Sequence, residues 1–308
     1  MKTASSVYDV SPLYTFIRTL SVSSLRSAVL RCIASIFYNF FFRQYKAALF
    51  PGRVPVSRVD HPLDLKIPFI PSWVTIYLDF VTYWIRMLGF LLHTYGRRAY
   101  DSAREFIVSM GRLYAFAAQA YQKNFSTTNR PFYIARPRFL VIHLFDPHLM
   151  CIPSLHVMVV IWTYRKFEAI LRSFNDAGRC SAQIEEMKQG ALAITHAILF
   201  VKQHSVNCIA AALYAMTRFD GKLFPMEEAE AFINQLFWTA PPDAPTGRLP
   251  ANYKVRPWAA PRTKIPAQDA SAIRAYITNL FRCFVEEGKT AREWETPLLN
   301  FMRPQSAL

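Results

Sequence analysis

Charge and glycine are both thin in this chain: 308 residues include 9 glycines, and only 19% are Asp, Glu, Lys or Arg. A soluble domain usually carries about 25% charged residues. The five cysteines (Cys32, Cys151, Cys180, Cys208 and Cys283) form no CxxC pair and are odd in number, which argues against a disulfide framework or a zinc cage. No run of basic residues reads as a nucleic-acid arm, and no internal repeat is visible. The N-terminal "MKTASSVYDVSPLYTFIRTL" lacks a basic start, a clean apolar core and a small-residue cleavage site, so a cleaved signal peptide is not expected.

What the chain does have is apolar mass: 52% hydrophobic residues, 15% aromatics and a mean hydropathy of +0.11. That composition leans toward a membrane protein with soluble appendages. The net charge of +15 then points to lipid phosphates or phosphorylated substrates, and away from nucleic acid.

Residues 27–42, "SAVLRCIASIFYNFFF", fall short of a full span, and predict an interfacial helix or one extended toward the N-terminus. A Pro-punctuated connector follows at 50–71. Residues 72–95 form the best spanning candidate, closed by Arg97 and Arg98. Within it Asp79, Arg86 and His93 share one helical stripe, which should face other helices because charge in hydrocarbon is costly. Residues 106–121 are a second, short candidate, and apolar runs begin again at 157, 190 and 205. Beyond Phe219 the composition turns Pro-rich, with an amphipathic pattern at 270–288.

Two histidines stand at the mouths of apolar runs: His156 in "PSLH" and His204 in "KQHSVNC". "KNFSTTNRP" adds Lys123 and Arg130, seven residues apart and followed by Pro131. Two imidazoles and two permanent cations in apolar surroundings suit phosphoryl chemistry. The cations hold phosphate oxygens, a hydroxyl such as Ser154 adds a hydrogen bond, one imidazole attacks phosphorus and the other protonates the leaving oxygen.

The order KxxxxxxRP, PSxH and a later His at a helix start resembles the type 2 phosphatidic acid phosphatase (lipid phosphate phosphatase) superfamily. The Leu of PSLH and the stretch "DLKIPFIPSWVTIYL" are similar to the branch containing inositol phosphorylceramide synthase-like phosphotransferases. The resemblance covers roughly residues 64–216. It implies a metal-free reaction with no cofactor, His204 as nucleophile, His156 as acid, and Lys123, Arg130 and Ser154 as the phosphate grip. It further implies an extracytoplasmic site and a cytoplasmic tail. The third motif departs from the pattern: Cys208 stands where the family has the Asp that holds the nucleophile, and Ala197 and Ile198 replace its Ser-Arg pair. Lys202 and Asp146 are candidate substitutes for the lost Arg and Asp.

Each motif also has a plain structural reading. Ser154 alone is an ordinary N-cap, His204 a satisfied core residue, Cys208 a small buried hydrophobe, and Lys123–Arg130 a solvated basic loop. "HLFDPHLMCIPSLH" gathers His143, Asp146, His148 and His156, but Pro147 and Pro153 break the spacing a metal site would need. The resulting expectation is an all-α integral membrane bundle of about five or six helices: an N-terminal segment (1–63), a phosphatase-like membrane domain (64–218) and a soluble, partly helical tail (219–308). The partner is a membrane lipid phosphate or diphosphate within the bilayer. The alternative is a catalytically impaired relative that binds lipid phosphate or scaffolds partners. Basic residues flank every plausible span, so charge does not fix topology.

Overall fold

A computed structural model describes residues 6–237 and 265–303, so part of the region expected as a tail lies outside the described residues. The fold is mostly helical. In chain order the helices are α1 (Pro12–Ser21), α2 (Ser23–Ile36), α3 (Arg43–Leu49), α4 (Val74–Leu78), α5 (Phe80–Tyr95) and α6 (Tyr100–Lys123). They are followed by α7 (Pro137–Phe145), α8 (Leu155–Ser173), α9 (Ser181–Phe200), α10 (Val206–Phe219), α11 (Met226–Gln235), α12 (Ala267–Thr290) and α13 (Thr296–Met302). The helical segments are thus more numerous than the five or six expected.

Two continuous helical stretches, Ser23–Leu49 and Pro71–Lys123, are long and apolar enough to cross a membrane. The first joins α2 to α3 through a π-helical segment, Phe37–Phe42, and so extends beyond 27–42 in both directions. The second bends at Asp79 and again at Gly96, whose φ of +56° suits glycine. Asp79 accepts a hydrogen bond from Arg86 at 2.6 Å. His93 does not join this pair facing the neighbouring helices: it is exposed, in a groove shared with Asp9 and Arg18.

The connector carries a short strand, β1 (Val56–Arg58), paired in parallel with β2 (Phe125–Thr127), with Ser57 opposite Ser126. Ser126 then holds the chain before α8: its amide donates to Leu149 O at 3.0 Å, and its Oγ accepts from Ile152 N at 2.7 Å. This small sheet fixes the segments carrying Arg130 and Ser154 to one another.

The centre of the bundle is α8 and α10. Every residue from Val206 to Met216 is buried, so α10 is enclosed by its neighbours. Part of that cover is α12, whose stripe Ile273, Ile277, Phe281 and Phe284 is buried at helical spacing. The C-terminal segment therefore packs on the bundle and does not trail from it.

Gly288 marks the tightest point of that packing. A Cβ there would stand 2.5 Å from Tyr214 Oη, and that hydroxyl is already committed to Trp294 O at 2.7 Å. In an open helix Gly→Ala gains about 1 kcal/mol. Here Gly288→Ala should instead lose about 1–3 kcal/mol through overpacking. A lower midpoint in thermal unfolding checks this.

Candidate functional site

Two helix starts and one loop assemble the site. α8 begins after Ser154, its N-cap, and places His156 in the first turn. α9 ends at Phe200, and the chain turns through Lys202 at φ +55°, with the amides of Gln203 and His204 returning to Ile198 O at 2.9 and 3.2 Å. Ser205 then caps α10, its Oγ accepting from Asn207 N.

Asp64 holds that turn from outside. Its Oδ1 accepts from Val206 N at 2.9 Å and its Oδ2 from His61 N at 2.8 Å. Lys202 donates its ammonium to the carbonyls of Asp64 and Ile67. Burial lowers the Lys202 pKa against the opposing pull of Asp64. Lys202 is therefore a tie between segments and does not replace a phosphate-binding arginine.

His156 and His204, 48 residues apart, meet at the centre: His204 Nε2 lies 3.2 Å from His156 Nδ1, with the rings edge to face. Tyr77 and Phe80 cover His156, with ring centroids 4.6 and 4.2 Å from it. Arg130 reaches the same place: Nη1 donates to Gln203 Oε1, beside His204, and both terminal nitrogens donate to Asp146 O at 3.3 Å. The guanidinium also lies 3.7 Å from the Asp146 carboxylate.

Among the described residues, two buried polar atoms here have no hydrogen-bond partner: Ser154 Oγ and His204 Nδ1. An orphaned buried polar group costs about 1–3 kcal/mol. Ser154 is fully buried, so its hydroxyl does not perform the ordinary capping bond either. Such uncompensated polarity is what a site for a polar ligand looks like.

Two residues depart from the roles suggested by the motifs. Lys123 is directed to the C-terminal segment, where its ammonium pairs with Glu293 and with Glu295 at 2.7 Å. Cys208 turns its thiol to Ser205 N at 3.4 Å and closes the cap of α10, leaving His204 Nδ1 without an orienting partner. Ala197 and Ile198 are buried apolar residues.

His148 is the residue the motifs did not signal. It is 6% exposed at φ +61°, with its ring centroid 6.4 Å from that of His204. Its Nε2 lies 2.8 Å from Thr128 Oγ1, and its Nδ1 lies 3.8 Å from Asp146 Oδ2. Burial alone would lower its pKa, but Cys151 and Asp146 outweigh burial and raise it. Burial likewise pushes Asp146 up, and the His148 contacts and Arg130 reverse this, bringing it down to about 2. Asp146 thus serves His148 and Arg130, not His204. Among the described residues no three of His, Cys, Asp and Glu are grouped to hold a metal ion.

Comparisons of the chain with protein-family models, with curated proteins and with solved structures return no match.

The Asp146–His148 pair has a pH signature. A depressed carboxylate stabilises the fold above its unfolded value, about 3.9, and that contribution fades as pH falls toward 2. A raised imidazole contributes fully below its unfolded value, about 6.5, and loses that contribution as pH rises through its folded pKa. The stability difference between wild type and Asp146→Asn should therefore be largest between about pH 4 and 6.5. Thermal unfolding of both proteins across this range checks it.

Proposed function

We propose that this chain is an integral membrane enzyme that removes or transfers a phosphoryl or phosphoester headgroup on a membrane lipid, using a histidine nucleophile and no metal cofactor. The observation that carries the reading is the 3.2 Å approach of His204 Nε2 to His156 Nδ1, with Arg130 anchored on the neighbouring Gln203. Three sequence motifs that resemble type 2 phosphatidic acid phosphatases contribute a residue each to that cluster.

In the proposed reaction the His204 lone pair forms a bond to phosphorus while the bond to the leaving oxygen breaks. His156 gives that oxygen its proton. Water, or an acceptor hydroxyl, then attacks the phosphohistidine; His156 takes its proton and His204 departs. Arg130 binds phosphate oxygens through both guanidinium branches, and the Ser154 hydroxyl adds a hydrogen bond. Low dielectric around the buried rings strengthens each of these contacts as charge develops.

The membrane assignment is supported by Ser23–Leu49, which at about 1.5 Å per residue exceeds a hydrocarbon core of about 30 Å. Only 22% of its most apolar window is buried. Leu30, Ile33, Phe37, Tyr38 and Phe42 are all exposed along it, as expected of a helix meeting lipid. By the same resemblance the site opens on the extracytoplasmic side; a cytoplasmic C-terminal segment does not fit beside it, because Glu293 and Glu295 of that segment pair with Lys123 and Tyr276 bonds Asn207 next to the site.

A catalytically impaired relative that retains lipid-phosphate binding or scaffolds partners is the second reading. The Cys208 thiol, committed to Ser205 N, and the apolar Ala197 and Ile198 favour it.

Hydrolysis of phosphatidate in detergent discriminates between the two. The enzyme reading expects release of phosphate that persists with EDTA and falls by about 10³-fold or more in His204→Ala; no release from wild type would leave the binding protein as the answer.

The clamp residues should separate as well. Arg130→Ala should cost about 10²–10³ in kcat/KM, as loss of a transition-state charge donor does. Lys123→Ala should cost less than about tenfold, because its ammonium is already engaged by Glu293 and Glu295. Steady-state kinetics of the two variants measures the difference.

A further inference from the structure

Between Asp9 and Asp60 the chain carries no acidic residue and seven basic ones. Among the described residues none of the seven forms an ion pair, whereas Arg86, Lys123, Arg165, Lys166, Arg172 and Arg179 are each paired with Asp or Glu. The same stretch exposes large apolar side chains: Tyr38 and Phe42 on the π-helical segment, Leu49 at the end of α3 and Phe50 just after it. Exposed aromatic rings beside unpaired cations fit the boundary between hydrocarbon and an anionic headgroup layer, where aromatic residues settle and basic residues reach phosphate.

Arg43 and Lys46 are the focus of this stretch. Three residues apart on α3, they are neighbours on the helix surface. The rings of Tyr38 and Phe42 stack at 5.6 Å; the Arg43 guanidinium lies 4.9 Å from the first and the Lys46 ammonium 5.9 Å from the second. These contacts lay both stems along apolar surface and leave the charged heads without an anion. Arg43 Nε is also buried with no hydrogen-bond partner among the described residues, a donor that an incoming acceptor can satisfy. The helix itself is held in place. Gln44 Oε1 accepts from Leu149 N at 2.8 Å and Tyr45 Oη donates to Phe145 O at 3.0 Å, which seats the two cations beside the end of α7.

We propose that Arg43 and Lys46 bind the phosphate of an anionic phospholipid whose acyl chains lie along Tyr38 and Phe42. The site rests on the membrane part of the functional reading, and not on a catalytic His204. Free phosphate would meet the same two cations, but the adjoining exposed rings favour a ligand with acyl chains. A zwitterionic headgroup would bring an ammonium into a stretch that holds only positive charge, so an anionic headgroup is preferred.

Native mass spectrometry of the full-length protein in a neutral detergent reads the affinity for single lipids. Phosphatidylglycerol should bind about thirtyfold more tightly than phosphatidylcholine, about fivefold for each cation. Arg43→Gln combined with Lys46→Gln should remove that preference. Arg282→Gln, which removes a cation of α12 paired with Glu230, should keep it. Glycerol phosphate, a headgroup without acyl chains, should not displace phosphatidylglycerol at equal concentration. Equal binding of the two lipids by wild type overturns the site, however well the variants fold. A preference that survives the double substitution, or that Arg282→Gln lowers equally, overturns it as attraction by net charge. Loss of the preference in Arg130→Ala alone would place the lipid at the histidine cluster, and displacement by glycerol phosphate would leave an anion site without a lipid; either overturns the proposal. Phosphatidate hydrolysis is read separately: it can persist without the lipid preference, and His204→Ala should abolish hydrolysis while the preference remains.

Discussion

The carboxylate of Asp64 is the constraint on which the site depends. It takes the first amide of α10 and the amide of His61, while the backbone around it receives the Lys202 ammonium. Ile70 N, bonded to Phe200 O at 2.8 Å, adds a further tie between the connector and the end of α9. These bonds convert a short turn with a left-handed residue into a fixed shelf for His204. A histidine on an untethered turn would sample many ring positions, and a nucleophile is useful only in a narrow one. The connector, which has little regular structure of its own, therefore acts as the rigid part of the site.

Around that shelf the protein accepts local cost. A low-charge interior holds Arg130, Asp146 and His148 together, two polar atoms have no partner, and one histidine adopts a disfavoured backbone. An apolar filling of the same volume is often at least as stable as such a polar cluster. The concentration of these features at the meeting point of α8 and α10, in a bundle otherwise well packed with aromatics and alanines, separates function from stability in this molecule.

The sequence made some of this legible. His156 and His204 stand where apolar runs begin, and polar residues at helix starts share a surface whenever the helices pack in one layer; Arg130 was legible from its spacing to Pro131. The helical class followed from the apolar runs and the family resemblance. What could not be read were the long-range commitments. Lys123 meets Glu293 and Glu295 some 170 residues away, and no local pattern announces that pairing. Cys208 sits one turn beyond His204, which suggests contact, but its thiol is drawn to the nearer amide of Ser205. The stripe of α12 was visible as amphipathic, while its partner, α10, was not. His148 was noted only within a histidine-rich stretch whose prolines break a metal spacing; its place is set by Ser126, on a strand too short to predict, and by Thr128 just after it.

The enclosure of α10 also limits how anything reaches His204. With Val206–Met216 covered on every side, His204 cannot be approached across that helix. At the rim of the cluster the partly exposed groups are Arg130 and Asp146, at 16% and 23%, below an α7 whose Leu140, Val141, Leu144 and Phe145 face outward. Traffic to the buried histidines therefore runs past the α7 side. Under the proposed function, the greasy outer face of the short helix between Arg130 and Asp146 would hold an acylated molecule longer than a sugar phosphate.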